Sequence, residues 1–233
     1  MRSVIIVLAS IALSGQALSA ETTESPDMDR ILAEYNAGIE RSEAFIESLW
    51  VEQVIIDPQD DGSSKEARAV LRYGRDGKME REVTKRGVPY MVGEYTLRSL
   101  LGPIMLEGQY RITHEGVETK EGVLCHRLSV EALVRDADHF DGTLWVSCES
   151  PGPVRIVGEV SDPPFPAVRV ALDKAFQRGP HGIWLVRRHT GEAEVSLLVR
   201  RRGVRHIFYD GYRVVADPGR APADSTGATW QGE

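Results

Sequence analysis

The chain has 233 residues, a hydrophobic content of 42% and a formal net charge of −7 at pH 7. The acidic balance argues against nucleic acid as the partner, and the length suits one β-rich domain. The charge is uneven, because residues 178–213 hold eight arginines against three acidic side chains. Two interpretations stay open: ordinary solvated strand faces, or contact of the basic C-terminal strands with an anionic surface.

Residues 1–20 read MRSVIIVLASIALSGQALSA, with Arg2 before a short apolar run and small residues after it. This pattern is typical of a secretory signal peptide, and the run is too short for a transmembrane helix. We expect cleavage after Ala20, or alternatively after Ser19, and a soluble protein in the periplasm. Residues 21–216 would form the domain. Residues 217–233, rich in Pro, Ala, Gly, Ser and Thr, would form a disordered polar tail.

The first predicted element is an amphipathic helix that starts at Ser25-Pro26-Asp27, with Ser25 as the cap, and ends between Gly38 and Ser42. Strand patterns then dominate. The predicted strands are Leu49–Asp57, Glu66–Tyr73, Met79–Lys85, Tyr110–Thr113, Leu124–Val134, Gly142–Cys148, Val154–Val160, Val168–Phe176, Ile183–Arg188, Glu192–Arg200 and His206–Val215.

The strand pattern is interrupted between residues 88 and 109. Residues 95–101 are predicted to be helical, and Gly102-Pro103 ends that helix. Two methionines, four leucines and Ile104 surround this stop. They fit either an ordinary core helix or a lid that docks over an apolar cavity.

Ten or eleven strands joined by short turns predict a largely antiparallel sheet. Two helices are too few to cover such a sheet as an α/β layer. The remaining options are a sandwich, a closed barrel, or a strongly curved sheet with helices over its open side.

Residues that could perform chemistry are scarce. The six histidines lack H-x-x-x-H spacing, no G-x-S-x-G occurs after residue 20, and no phosphate-binding glycine loop is present. We therefore expect no enzyme activity, no cofactor and no metal site. A disulfide between Cys125 and Cys148 stays open, because the predicted register places Cys148 opposite His126 and turns Cys125 to the other face.

Five stretches carry a resemblance to a known family: Cys125–Leu128, Phe140–Val146, Gly152–Glu159, Ile183–Arg188 and Ile207–Arg213. Their strand patterns, the Trp-bearing strand and the short Gly/Pro turn resemble the LolA-like superfamily of outer-membrane lipoprotein carrier and sorting proteins. The resemblance covers most of residues 27–214. It implies a mainly β (α+β) fold, in which a curved antiparallel sheet forms an unclosed half-barrel and helices form a lid over an apolar cavity.

The resemblance also implies a non-catalytic periplasmic carrier that shelters the acyl chains of a lipoprotein or lipid, since each buried methylene contributes about 0.8 kcal/mol. Its partners would include an inner-membrane transporter or an outer-membrane acceptor. The alternatives are a lipid- or lipoprotein-sensing regulatory subunit on the same fold and, third, an envelope-polymer hydrolase. In the carriers of this family an arginine locks the lid. Arg30, Arg41 and Arg98 are the candidates for that role here, and the sequence does not distinguish among them.

Two sets of site residues follow from this interpretation. The predicted ligand-binding residues of the cavity and lid are Ala69, Leu71, Val83, Met91, Tyr95, Leu97, Leu101, Ile104, Met105, Leu128, Val130, Val146 and Ile156. The predicted membrane or partner contacts are Arg200, Arg201, Arg202 and Arg205.

Overall fold

The computed structural model describes residues 27–88, 96–196 and 200–220. Its elements are α1 (Met28–Phe45), β1 (Ile46–Pro58), β2 (Ser64–Gly74), β3 (Met79–Lys85), α2 (Leu97–Leu101), β4 (Tyr110–Lys120), β5 (Val123–Ala132), β6 (Phe140–Ser147), β7 (Pro153–Val160), β8 (Ala167–Arg178), β9 (Trp184–Ser196) and β10 (Arg200–Ala216). Residues 1–26 lie outside this part of the chain, so the signal peptide stays a prediction. Within the described ranges, no helix combines the length and apolar character needed to cross a membrane.

All ten strands form one antiparallel sheet in the order β3-β2-β1-β10-β9-β8-β7-β6-β5-β4. The two edge strands, β3 and β4, do not pair with each other, so the sheet is open. The predicted mainly β fold with an unclosed half-barrel and two helices is therefore confirmed.

The prediction of separate strands at 183–188 and 192–200 is wrong. Residues between them stay paired with β8, since Thr190 lies opposite Asp173 and Gly191 opposite Leu172. One long strand, β9, results, and Arg200 belongs to β10. The β-bulge between Ala175 and Phe176 lies opposite Arg187, and the pairing of residues 189–191 with β8 is regular.

Helix α1 differs from its prediction at both ends. Its cap is Asp27, not Ser25, and the Asp27 carboxylate accepts a hydrogen bond from the backbone N–H of Arg30 at 3.2 Å. The helix continues beyond Ser42, whose hydroxyl donates to the Gly38 carbonyl at 2.8 Å. It ends at Phe45, which is 4% exposed, and β1 begins at the next residue. Burial of Phe45 thus outweighs the sequence pattern that predicts the end of the helix between Gly38 and Ser42.

The register of β5 and β6 differs by two residues from the prediction. His126 lies opposite Val146, and the Cys148 N–H donates to the Leu124 carbonyl at 2.9 Å. Cys125 lies opposite Ser147. Both cysteines are free thiols, and burial raises the pKa of Cys125 to about 11. Cys125 is therefore a protonated thiol at neutral pH.

The start of the predicted polar tail is attached to the domain. The N–H of Asp217 donates to the Phe45 carbonyl at 2.8 Å, and Arg75 donates to its carboxylate at 2.6 Å. Residues 221–233 lie outside the described part of the chain.

Candidate functional site

A single row of paired residues crosses nine of the ten strands. Directly paired residues of antiparallel strands point to the same face, so the row defines one face of the sheet, here called the inner face. From β2 to β4 the row reads Ala67, Ile55, Ile207, His189, Lys174, Ile156, Leu144, Leu128 and His114. Six of the nine side chains are apolar and buried.

The strand residues predicted to bind ligand all belong to this face. Each lies at an even spacing from a member of the row or is paired with such a residue. They are Ala69, Leu71, Val83, Leu128, Val130, Val146 and Ile156. All are buried except Val83, which is half-buried on the edge strand β3. The alternation of apolar and polar residues along the strands therefore predicted that these seven side chains share one face of the sheet.

The two helices cover part of the inner face. Tyr35 and Ile39 of α1 and Leu101 of α2 share one buried cluster with Leu128 and Ile156 of the row. Met105 and Leu97 are buried in the same cluster, and Ile104 packs against it. The predicted site residues Met91 and Tyr95 lie outside the described residues.

Hydrogen bonds attach the segment after α2 to α1. The Asn36 amide makes two bonds to the backbone of Met105, donating to its carbonyl at 2.7 Å and accepting from its N–H at 2.8 Å. The Tyr35 hydroxyl donates to the Pro103 carbonyl at 2.9 Å. Arg98, one of three candidates for a lid-locking arginine, forms an ion pair with Glu43 of α1.

Polar groups occupy the middle of the otherwise apolar row. Lys174 and His189 are cross-strand partners, between Ile156 on one side and Ile207 on the other. Burial lowers the pKa of Lys174 to about 8. Burial and, second, the Lys174 charge lower the pKa of His189 to about 3, so this imidazole is neutral at pH 7.

A second row of paired residues on the inner face lies two positions along each strand from the first. It contains three glycines, Gly191, Gly158 and Gly142. A Cβ on Gly142 or Gly158 would meet the backbone of the opposing strand at 2.1 or 2.2 Å. Only glycine allows β6 and β7 to approach so closely, which favours a sharp bend. Gly191 differs, because the nearest described atom to its Cβ position is His189 Nε2 at 3.8 Å. Space therefore remains beside Lys174 and His189.

The arginines predicted to contact a membrane or partner do not share one environment. Arg205 lies opposite Gly191 on the inner face and donates to both carboxylate oxygens of Asp57 at 2.8 and 2.9 Å. Arg202 points to the outer face and donates to Glu192 at 2.6 Å. Arg201 is exposed, and the side chain of Arg200 is outside the described part. Membrane contact by these residues stays a prediction.

The side chains that could bind a metal are dispersed over the described ranges. No group of three or more His, Cys, Asp or Glu side chains there could hold a metal ion. The closest histidine pair, His114 and His126, has ring nitrogens 3.2 Å apart, and burial lowers the pKa of His126.

Sequence reasoning missed Lys174 and His189. The spacing of the six histidines did not single out His189, and Lys174 was not singled out either. The available signal was a lysine within an apolar column, since Val168, Val170, Leu172 and Phe176 flank it at even positions of β8, before Arg178 at the end of the strand. A lysine between apolar residues of one strand column predicts a cation on the buried face.

No family model and no curated protein matches the chain. Among solved structures, it is similar to a LolA superfamily protein from Nitrosomonas europaea, with a TM-score of 0.43 and 13% identity over 79% of this chain and 95% of that one. It is also similar to an outer-membrane lipoprotein-sorting protein domain from Vibrio parahaemolyticus, with a TM-score of 0.46 and 12% identity over 87% and 95%.

A third similarity is to the MucA/MucB complex structure of Pseudomonas aeruginosa, with a TM-score of 0.26 and 10% identity over 80% and 95% of the chains. The first structure is named as a LolA superfamily protein and the second as a lipoprotein-sorting domain, the kinds of protein that the sequence resembles. At these identities the similarities concern the fold alone.

Proposed function

We propose that this protein is a non-catalytic periplasmic carrier that holds acyl chains of a lipid or lipoprotein between the inner face of its open sheet and its helices. One observation carries the proposal: six of the nine side chains in the row across the paired strands are apolar and buried, and they share one cluster with residues of α1 and α2. An open sheet can accept chains of different length, because its edges are not tied together. Non-directional apolar contact then provides affinity without any reacting group.

The proposal is tested by lipid binding and transfer. Organic extraction of the purified protein followed by mass spectrometry should detect acyl compounds. A fluorescent dodecyl probe should bind with an affinity that rises with chain length, since each methylene adds about 0.8 kcal/mol. Absence of both results would contradict a carrier. Binding without transfer of the probe between two vesicle populations would instead support a lipid-sensing subunit.

The helical cover is proposed to open when cargo enters. Replacing Asn36 by Ala removes both of its bonds to Met105. Each hydrogen bond contributes about 1 kcal/mol, so the segment after α2 should open more often. We expect amide exchange at Met105 to be about 10- to 100-fold faster by mass spectrometry or NMR, and acyl probe uptake to be faster.

The matched control is Gln59 to Ala, which removes side-chain bonds at 3.1 and 3.2 Å in the distant β1–β2 connection. This variant should leave both rates unchanged. Faster exchange in the Asn36 variant without faster uptake would mean that α2 is permanently packed core.

The β7–β8 loop is proposed to contact an anionic membrane during transfer. Phe165 in the β7–β8 loop is 85% exposed, and Val168 beside it is 51% exposed. The Ser196 N–H donates to the Pro166 carbonyl at 3.2 Å, so this loop adjoins the end of β9 near Arg201. Exposed apolar groups next to arginine favour insertion at the surface of anionic lipid.

Replacing Phe165 by Ser should weaken binding to vesicles of phosphatidylglycerol and phosphatidylethanolamine about tenfold, because one large apolar side chain no longer inserts. Flotation or surface plasmon resonance measures the change. The control is Leu124 to Ser, at an exposed residue of β5 outside this loop, which should bind as the unaltered protein does. Equal binding by all three proteins would exclude the loop as the docking site.

A further inference from the structure

The structure assigns a role to the cation at the centre of the inner face. We propose that Lys174 binds the acidic group, a carboxylate or a phosphate, of an acyl-chain ligand whose hydrocarbon part lies along the aliphatic row. This inference deepens the proposed carrier function and rests on it.

The position of Lys174 is the first argument. It follows Asp173 in β8, and Asp173 points to the outer face, where Arg155 donates to its two carboxylate oxygens at 2.9 and 2.8 Å. Lys174 therefore points to the inner face, in line with Ile156. A side chain that could have remained in water is instead half-buried between β7 and β9.

The second argument is the absence of a matching anion. Within the described ranges, the structure gives Lys174 no hydrogen bond and no ion pair. Its cross-strand neighbour, His189, is neutral at pH 7 and adds no negative charge. The Asp57 carboxylate on the inner-face side of β1 is bound by two nitrogens of Arg205. A lysine whose side chain is partly buried without an anion is costly, so a ligand that supplies one would be favoured.

The third argument is space. Gly191 lies two residues after His189 on the same strand. A Cβ added to Gly191 would have His189 Nε2, at 3.8 Å, as its nearest described atom. The aliphatic residues Ile156 and Leu144 continue the row from Lys174 across β7 and β6. Both are buried, so the chain of a ligand with its head group at Lys174 would lie along them once the helical cover opens. This arrangement of one polar anchor within an apolar surface is typical of sites for amphiphilic ligands.

The test compares three ligands with the same chain: dodecanoate, dodecyl phosphate and dodecanol. The unaltered protein should bind at least one of the two anions about tenfold more tightly than dodecanol, because a charge-assisted hydrogen bond forms. The anion with the larger preference identifies the head group as carboxylate or phosphate. Lys174→Met should reduce anion binding about tenfold and leave dodecanol binding unchanged. Lys174→Arg should restore the preference, because it retains the charge.

The control is Lys78→Met, which removes an exposed lysine in the β2–β3 turn that pairs with Asp76 at 3.0 Å. It should bind all three ligands as the unaltered protein does. An anion preference that persists in Lys174→Met, or no preference in the unaltered protein, would overturn the inference while leaving the carrier intact. Failure of all three ligands, including dodecanol, to bind would overturn the carrier function itself.

Discussion

Replacing Gly191 by Trp is expected to abolish acyl binding without unfolding the protein. The backbone of Gly191 is not in the left-handed region, and its Cβ position is clear of described atoms to 3.8 Å. Trp is also compatible with a strand. Its indole would occupy the space on the inner face beside His189 and exclude a chain from the middle of the row. We expect binding of a dodecyl probe to weaken by at least about 100-fold, with little change in the melting temperature.

The matched control is Val157 to Trp. Val157 points to the outer face of β7, where it lies opposite Asp173 and is 37% exposed. The same bulk at this position should leave binding unchanged. Gly191 to Leu provides a graded test, because it should shorten the longest chain that binds instead of preventing binding. If the Trp variant at Gly191 binds the probe as the unaltered protein does, the inner face is not the ligand site.

The sequence predicted the inner face well because strand alternation has a fixed period of two. The bounds of β3 were predicted correctly, since the Gly74 to Gly77 turn isolates that strand. Ala69, Leu71 and Leu128 were predicted to share a face, and the paired rows place them together. A period-two pattern specifies which side chains share a face without knowledge of the neighbouring strand.

Features that depend on long-range packing were not predictable in this way. The β5–β6 register was wrong by two residues because the loop from residue 133 to 139 is long, and loop length alone does not specify pairing. The last turn of α1 depends on burial of Phe45, which only the folded chain provides. Lys174 was missed because sequence alone cannot show that strands on both sides enclose it.

Replacing Lys174 by Met is expected to stabilise the ligand-free protein at neutral pH. Burial lowers the pKa of Lys174 from 10.5 to about 8, which means that folding disfavours its charged form. A difference of this size corresponds to about 2 to 3 kcal/mol of lost stability at pH 7, allowing for partial solvent access. Met fills a similar volume without this cost. A stabilising substitution of this size at a single site is unusual and would indicate that the lysine serves binding.

The pH dependence distinguishes this cause from better packing. Below about pH 8 the lysine is charged in both the folded and the unfolded chain, so the unaltered protein bears the full cost. Between about pH 8 and 10.5 the folded protein loses the proton while the unfolded chain keeps it, and stability of the unaltered protein rises. The advantage of the Met variant should therefore be largest below pH 8 and decline toward pH 10.5.

The groups around Lys174 should not produce the same rise in stability between about pH 8 and 10.5. His189 is already neutral because its pKa is about 3, and Arg155 of β7 points to the outer face toward Asp173. Arg205 is held by Asp57, and the pKa of Tyr212 is raised well above 10 by burial. Chemical denaturation of both proteins from pH 6 to 10.5 measures the difference directly. A pH-independent difference would indicate packing, and a Met variant that is less stable at pH 7 would mean that Lys174 is well solvated. In either case the inner face would lack the unsatisfied charge that is expected to attract an acidic ligand.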